Sequence, residues 1–219
     1  MYTAEQVAAV IDHTLLRADA GAGEYSKLCA EAREYRFASV CVPPAWVAFC
    51  AAELRGSGIP VCTVVGFPLG YSLAAVKADE TRRAVDDGAD EIDTVINVGY
   101  LKSGMINEVR NDITAVVNAA GGKLVKVIIE TCLLTDDEKR LVCGLCREAG
   151  TQFVKTSTGF SSAGATADDV ALMKAAAGGL LVKAAGGIRT TEDALAMLRA
   201  GADRIGASKS IEIIAGLPC

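Results

Sequence analysis

The strongest constraint in this sequence is an alternation repeated along the chain: a short apolar run, then a stretch with helical periodicity. Eight apolar runs read as strands, at 12–16, 39–42, 60–66, 91–97 and 124–130, then from Phe153, from Leu180 and from Arg204. Helical stretches follow at 24–37, 45–54, 72–87, 105–119, 135–149 and 167–177. One more is opened by Thr190 with Asp193 and closed by Gly201, and Ser208 opens the last. Strands that alternate with helices pair in parallel, because each helix carries the chain back to the edge it left. Eight such units predict an α/β fold, a (β/α)8 TIM barrel forming one domain over residues 1–219. Three helix-to-strand junctions look alike: Asp87-Gly88-Ala89-Asp90, Ala149-Gly150-Thr151-Gln152 and Ala200-Gly201-Ala202-Asp203. An additional N-terminal helix, capped by Thr3 with Gln6 completing a capping box, runs towards Ile11 and is expected to plug the barrel floor. An open doubly wound sheet is the alternative, but no G-x-G-x-x-G follows the first strand.

Composition narrows the function class. The chain is 51% hydrophobic yet only 5% aromatic, which calls for a core of small aliphatic side chains. A net charge of -5 leaves no basic footprint for nucleic acid. The first residues lack a basic region followed by an apolar one, and no apolar stretch approaches the roughly 20 residues that span a bilayer. The expectation is a cytoplasmic metabolic protein with no membrane partner. Eight cysteines without a secretory signal read as reduced core residues. Cys143-Gly144-Leu145-Cys146 matches C-x-x-C, but it lies within a helical pattern and has no second pair, so neither zinc nor redox chemistry is expected there. His13 is the only histidine, which excludes multi-histidine metal sites, and no G-x-S-x-G elbow accompanies it. No metal and no cofactor are expected.

In a barrel of this kind, function sits at the C-terminal ends of the strands. The polar residues there are Asp12, Thr14, Cys41, Asp93, Asn97, Lys126, Glu130, Lys155 and Lys183. Alternation puts Phe153, Lys155 and Ser157 on one side of their strand and Val154 and Thr156 on the other. Asp93, Lys126, Lys155 and Lys183 all fall on inward positions. Surface lysines at strand ends are the plainer reading of each lysine alone. A buried ammonium is costly unless paired or deprotonated, and converging ionisable groups shift one another. Lys183 as a cation beside Lys155 would favour a neutral Lys155 amine, which attacks carbonyl carbon. An aspartate between them would move protons. Such a set suits Schiff-base formation followed by carbon–carbon bond making or breaking. A second constellation is glycine-rich: Thr158-Gly159, Gly186-Gly187, then Ser208 at a helix start. Bare N–H groups in the last loops of a barrel suit a phosphate, although tight turns alone would also explain the glycines.

These segments together resemble the deoxyribose-phosphate aldolase family, a class I aldolase family. The resemblance is carried by Ile11-Asp12-His13-Thr14-Leu15-Leu16, Val40-Cys41-Val42-Pro43, Val65-Gly66-Phe67-Pro68-Leu69-Gly70, Glu91-Ile92-Asp93, Asn97-Val98-Gly99 and Lys126 through Thr131. Its most specific parts are Lys155-Thr156-Ser157-Thr158-Gly159 and Lys183-Ala184-Ala185-Gly186-Gly187-Ile188-Arg189, in that order. It implies metal-free cleavage of 2-deoxy-D-ribose 5-phosphate to D-glyceraldehyde 3-phosphate and acetaldehyde, and a homo-oligomer, dimer or tetramer. Lys155 is then the Schiff-base residue and Lys183 tunes it, while Asp93, with Lys183 and a water, relays protons. Two departures stand out. Ser208-Lys209 replaces a pair of serines, which makes Lys209 a candidate phosphate contact. The chain also ends at Leu217-Pro218-Cys219 without the tyrosine-bearing tail of longer members, so tail-assisted proton transfer is not expected. Phe160 after Gly159 resembles the shorter members.

Overall fold

The structure is a computed structural model that describes residues 2–218. Its eight strands are β1 Ile11–Thr14, β2 Ser39–Val42, β3 Val61–Val65, β4 Glu91–Val95, β5 Leu124–Ile128, β6 Phe153–Lys155, β7 Leu181–Ala185 and β8 Arg204–Ala207. They pair in parallel in sequence order, and β8 returns to β1, so the sheet is a closed barrel. Around it lie α2 (Ala22–Tyr35), α3 (Val47–Glu53), α4 (Ala74–Asp86), α6 (Ile106–Ala119), α7 (Asp136–Ala149), α8 (Ala167–Ala176), α9 (Thr191–Arg199) and α10 (Ser210–Ala215). Two short helices, α1 (Ala4–Ala8) and α5 (Val98–Lys102), stand outside the repeat. Among the described residues no helix is long and apolar enough to cross a membrane.

Local chemistry sets the ends of the helices. Thr135 caps α7 and Glu138 reaches back to the Thr135 N–H, while Gly150 closes the helix at φ 81°. Thr190 and Asp193 do the same for the start of α9, and Thr3 with Gln6 for α1. Several expected boundaries move. β1 stops at Thr14, although the Leu15 N–H still bonds Cys41 O. Asn97 has left β4; its side chain caps α5 by accepting from the Tyr100 N–H at 3.1 Å. Ser208 does not open the last helix, which begins at Ser210 with Lys209 in the cap position. The N-terminal helix ends at Ala8 and packs against α10, with the Ala4 N–H on Pro218 O, while Glu91, Phe153 and Arg204 occupy the lower end of the barrel interior.

Two interiors result. Between strands and helices lies an aliphatic shell that includes Val40, Ile92, Val125, Val127, Val154, Val182 and Ile205. Cys29, Cys50, Cys143 and Cys146 belong to this shell as free thiols, whereas Cys219 lies outside the described residues. Inside the barrel the apolar part is a small cluster of Cys41, Cys62 and Val64, with Leu16 and Phe67 against it, and the separate side chains of Val95, Ile128 and Phe153. The rest of that interior is charged.

Candidate active site

Alternation along the strands turns Asp12, Glu91, Asp93, Lys126, Lys155, Lys183 and Arg204 into the barrel, away from the aliphatic shell. Asp93 is the hub. Its Oδ2 accepts from Lys155 Nζ and from Lys183 Nζ, each at 2.7 Å. Its Oδ1 accepts from Lys126 Nζ at 2.9 Å and from the Cys62 thiol at 3.2 Å. The strand register makes this possible, since Asp93 pairs with Lys126, and Lys155 with Lys183, on neighbouring strands. Beneath, Asp12 contacts Lys183 and accepts from Arg204 Nη1 at 2.6 Å. Lys126 completes the lower layer, 2.5 Å from Glu91 and 3.8 Å from Asp12. Arg204 lies 3.6 Å from Glu91 and over the ring of Phe153.

Asp12, Asp93, Lys126 and Lys183 are fully buried. Burial alone would raise the Asp93 carboxyl, but the charges of Lys126, Lys155 and Lys183 outweigh it and hold that group well below the usual carboxylate range. Asp12 is likewise lowered against its burial, by Lys183, Lys126 and Arg204. Burial would lower Lys183, yet Asp12 and Asp93 push it above the ordinary lysine value. Lys126 is raised in the same way, by Asp93 first among its neighbours. The mutual contacts therefore favour the charged forms of Lys183, Lys126 and Asp93.

A cleft of about 790 Å³ opens above this network. Among the described residues, Lys155 is the one member of the network that lines it. Thr14, Thr158, Gly159, Phe160, Gly186, Gly187, Ser208 and Lys209 line it as well. The loops after β6 and β7 cross closely at their glycines. Gly186 has φ 88°, and a Cβ on Gly164 would lie 2.1 Å from Gly186 O. Along this wall the N–H groups of Gly186, Gly187, Ser208 and Lys209 have no hydrogen-bond acceptor among the described residues. Unspent donors that face a cleft suit an anion.

The other expected residues fall elsewhere. Glu130 stands behind the wall with left-handed backbone at φ 56°, and accepts from the Thr158 hydroxyl at 2.5 Å and the Thr158 N–H at 3.3 Å. It positions Thr158 and does not face the cleft. Cys41 lies in the small apolar cluster below the mouth, and Asn97 is a helix cap. Lys209 carries its ammonium to Glu212 Oε1, 2.8 Å away on its own helix, at an exposed site. Arg204 and Glu91 were missed, because each opens its strand and reads as a surface charge until the barrel closes. His13 was known only as a lone histidine. Its outward ring joins α2 to α10, with Nε2 2.8 Å from Glu31 and Nδ1 2.9 Å from Ser210 Oγ.

Sequence comparison agrees with this geometry over nearly the whole chain. A deoxyribose-phosphate aldolase of Streptococcus pneumoniae is 59% identical over 207 residues, covering 94% of each chain. One from Streptococcus uberis is 57% identical over the same share. Among solved structures, a protein of Coccidioides immitis superposes with a TM-score of 0.96 at 42% identity, covering 99% of this chain and 87% of that one. A tetrameric deoxyribose phosphate aldolase of Aeropyrum pernix superposes with a TM-score of 0.92 at 33% identity, covering 98% and 92%. The family model for DeoC/LacD family aldolases matches residues 6–219, which takes in all eight strands and every lysine of the barrel interior. The chain belongs to the DeoC/LacD aldolase family.

Proposed function

We propose that this aldolase reversibly cleaves 2-deoxy-D-ribose 5-phosphate to D-glyceraldehyde 3-phosphate and acetaldehyde through an imine on Lys155. The observation that carries the reading is the position of Lys155: among the described residues its amine alone of the barrel's charge network opens to the cleft, and it shares one carboxylate oxygen with Lys183. The names of the curated relatives support the substrate.

The steps balance on residues already placed. The Lys155 amine adds to C1 of the open-chain sugar, and loss of water leaves a protonated imine. Loss of the C3 hydroxyl proton breaks the C2–C3 bond. Its electron pair moves towards the imine nitrogen and gives an enamine, while C3 becomes the aldehyde of the departing phosphosugar. Protonation of the enamine at C2 and hydrolysis then release acetaldehyde and restore the amine. Asp93 and Lys183 are the proton-relay pair. Asp93 Oδ2, within hydrogen-bond reach of both Lys155 and Lys183, is placed to exchange protons with the reacting carbon skeleton beside the imine. The phosphate rests on the N–H groups of Gly186, Gly187 and Ser208, with Thr158 and Gly159 beside Gly186 and Thr14 on the β1 side. Asp12, Lys126, Cys41 and Glu130 support the site from outside the cleft. We further infer a cytoplasmic homo-oligomer, on the precedent of the Aeropyrum pernix tetramer.

The test is chemical. Acetaldehyde with borohydride should leave an ethyl group on Lys155, located by peptide mass. Lys155→Met should fold, lose this adduct and lose turnover. Full turnover in that variant would overturn the assignment.

A further inference from the structure

The barrel interior holds three carboxylates, Asp12, Glu91 and Asp93, against four basic groups, Lys126, Lys155, Lys183 and Arg204. With the Lys155 amine unprotonated, as a nucleophile must be, three negative charges meet three positive ones. With Lys155 protonated, the barrel interior carries one positive charge in excess. We propose that Arg204 and Glu91, at the floor of the barrel, are positioning residues that set the charge state of the reacting amine at its mouth by fixing this count.

The path for such an effect is continuous. Arg204 holds Asp12 at 2.6 Å, Asp12 contacts Lys183, Lys183 donates to Asp93 Oδ2 at 2.7 Å, and Lys155 donates to the same oxygen. Glu91 acts along the other side, through Lys126 to Asp93 Oδ1. Charges in a largely buried interior act on one another over several ångströms with less screening than surface charges of the same chain.

The titratable groups inside the barrel are few on each strand. They are Asp12 from β1, Cys41 from β2, Cys62 from β3, Asp93 and Glu91 from β4, Lys126 from β5, Lys183 from β7 and Arg204 from β8. Glu130 sits beyond the end of β5 but is taken by Thr158. Cys41 and Cys62 are counted as thiols. Burial pushes Cys62 well up, and its hydrogen bond with Cys62 shifts Cys41 the other way. Neither Arg204 nor Glu91 reaches the cleft, so each would act only through the charges above it.

This inference rests on Lys155 as the imine-forming residue, and the experiment separates the two. The readout is the pH midpoint of borohydride trapping at Lys155 with limiting acetaldehyde. Arg204→Met removes a cation, so the neutral interior then contains a protonated Lys155, and the midpoint should rise by about one pH unit. Glu91→Gln removes an anion, and the midpoint should fall. Arg204→Lys, which keeps the charge, and the double variant Arg204→Met with Glu91→Gln, which keeps the count, should both return it towards that of the unaltered protein. Equal midpoints throughout, or shifts of one sign in both single variants, would overturn the proposal. If Arg204→Met fails to fold, the downward shift of Glu91→Gln and the unmoved midpoint of Arg204→Lys still decide it. Absence of any adduct at Lys155 in the unaltered protein would instead defeat the imine assignment itself.

Discussion

At the scale of single residues, the charge network predicts that Asp93 is hard to replace. Its carboxylate neutralises the space between three lysines, so Asp93→Asn removes a buried counter-charge and, on the proposed mechanism, a relay group. Turnover should fall by roughly 100- to 10,000-fold, with KM changed much less. The melting temperature should drop too, because a buried pair broken on one side costs about 3–5 kcal/mol. A loss confined to KM would make Asp93 a binding residue. Lys209 presents the opposite case. Its pair with Glu212 is exposed, and such pairs contribute roughly 0–1 kcal/mol, so the ammonium can leave cheaply for a phosphate. Lys209→Ala should lower kcat/KM on the phosphorylated sugar by roughly 10-fold, since a charge-assisted hydrogen bond is worth about 1.5–3 kcal/mol before that exchange. Cleavage of unphosphorylated deoxyribose should stay unchanged. Equal effects on both substrates would place Lys209 outside the anion site.

At the scale of elements, the loops after β6 and β7 are tied near their strands by the Thr156 and Thr158 side chains, and meet further out by backbone contact. Ala165 N–H donates to Gly186 O at 2.9 Å beside Gly164, where there is no room for a methyl group. Gly164→Ala should therefore destabilise by about 1–3 kcal/mol, with a weaker hold on phosphate as the Gly186 N–H is displaced. Gly144, within α7, meets nothing within 4 Å. Gly144→Ala should leave activity alone and stabilise by about 0.5–1 kcal/mol. Thermal unfolding of the two variants against phosphate titration checks both; a neutral Gly164→Ala would mean that the crossing is looser than its geometry.

For the whole molecule, the single histidine gives a clean measure of acid sensitivity. Burial lowers the His13 imidazole from its ordinary 6.5, and the hydrogen bond and charge of Glu31 restore only part of that; Glu212 and Lys27 add smaller effects of opposite sign. The unfolded chain then binds a proton at a higher pH than the folded one. Stability should rise with pH between the folded-state value and about 6.5, and fall on acidification through that window. His13 ties β1 to α2 and α10, so the effect links three elements. One imidazole NMR resonance, titrated folded and unfolded, together with denaturant midpoints across the window, tests it. A folded-state titration at or above 6.5 would contradict the sign.

The strand count, the order of the barrel and the inward lysines were legible in the chain, because strand alternation and capping boxes are local: Thr135 with Glu138 and Lys155 between Val154 and Thr156 need no distant partner. The family resemblance reached Asp93, Lys155 and Lys183 by the same local motifs. What only the tertiary structure decided is who meets whom across the barrel. Arg204 and Asp12 lie at opposite ends of the sequence and become partners only because β8 closes on β1. Asn97 reads as a strand residue until the chain turns and spends its side chain on α5, and Glu130 reads as a pocket residue until Thr158 folds over it. A side chain's position along its own strand follows from local geometry, whereas the charge opposite it depends on the closure of the sheet. For that reason the sequence alone put forward the candidate lysine, and the fold alone revealed the balanced set of buried charges around it.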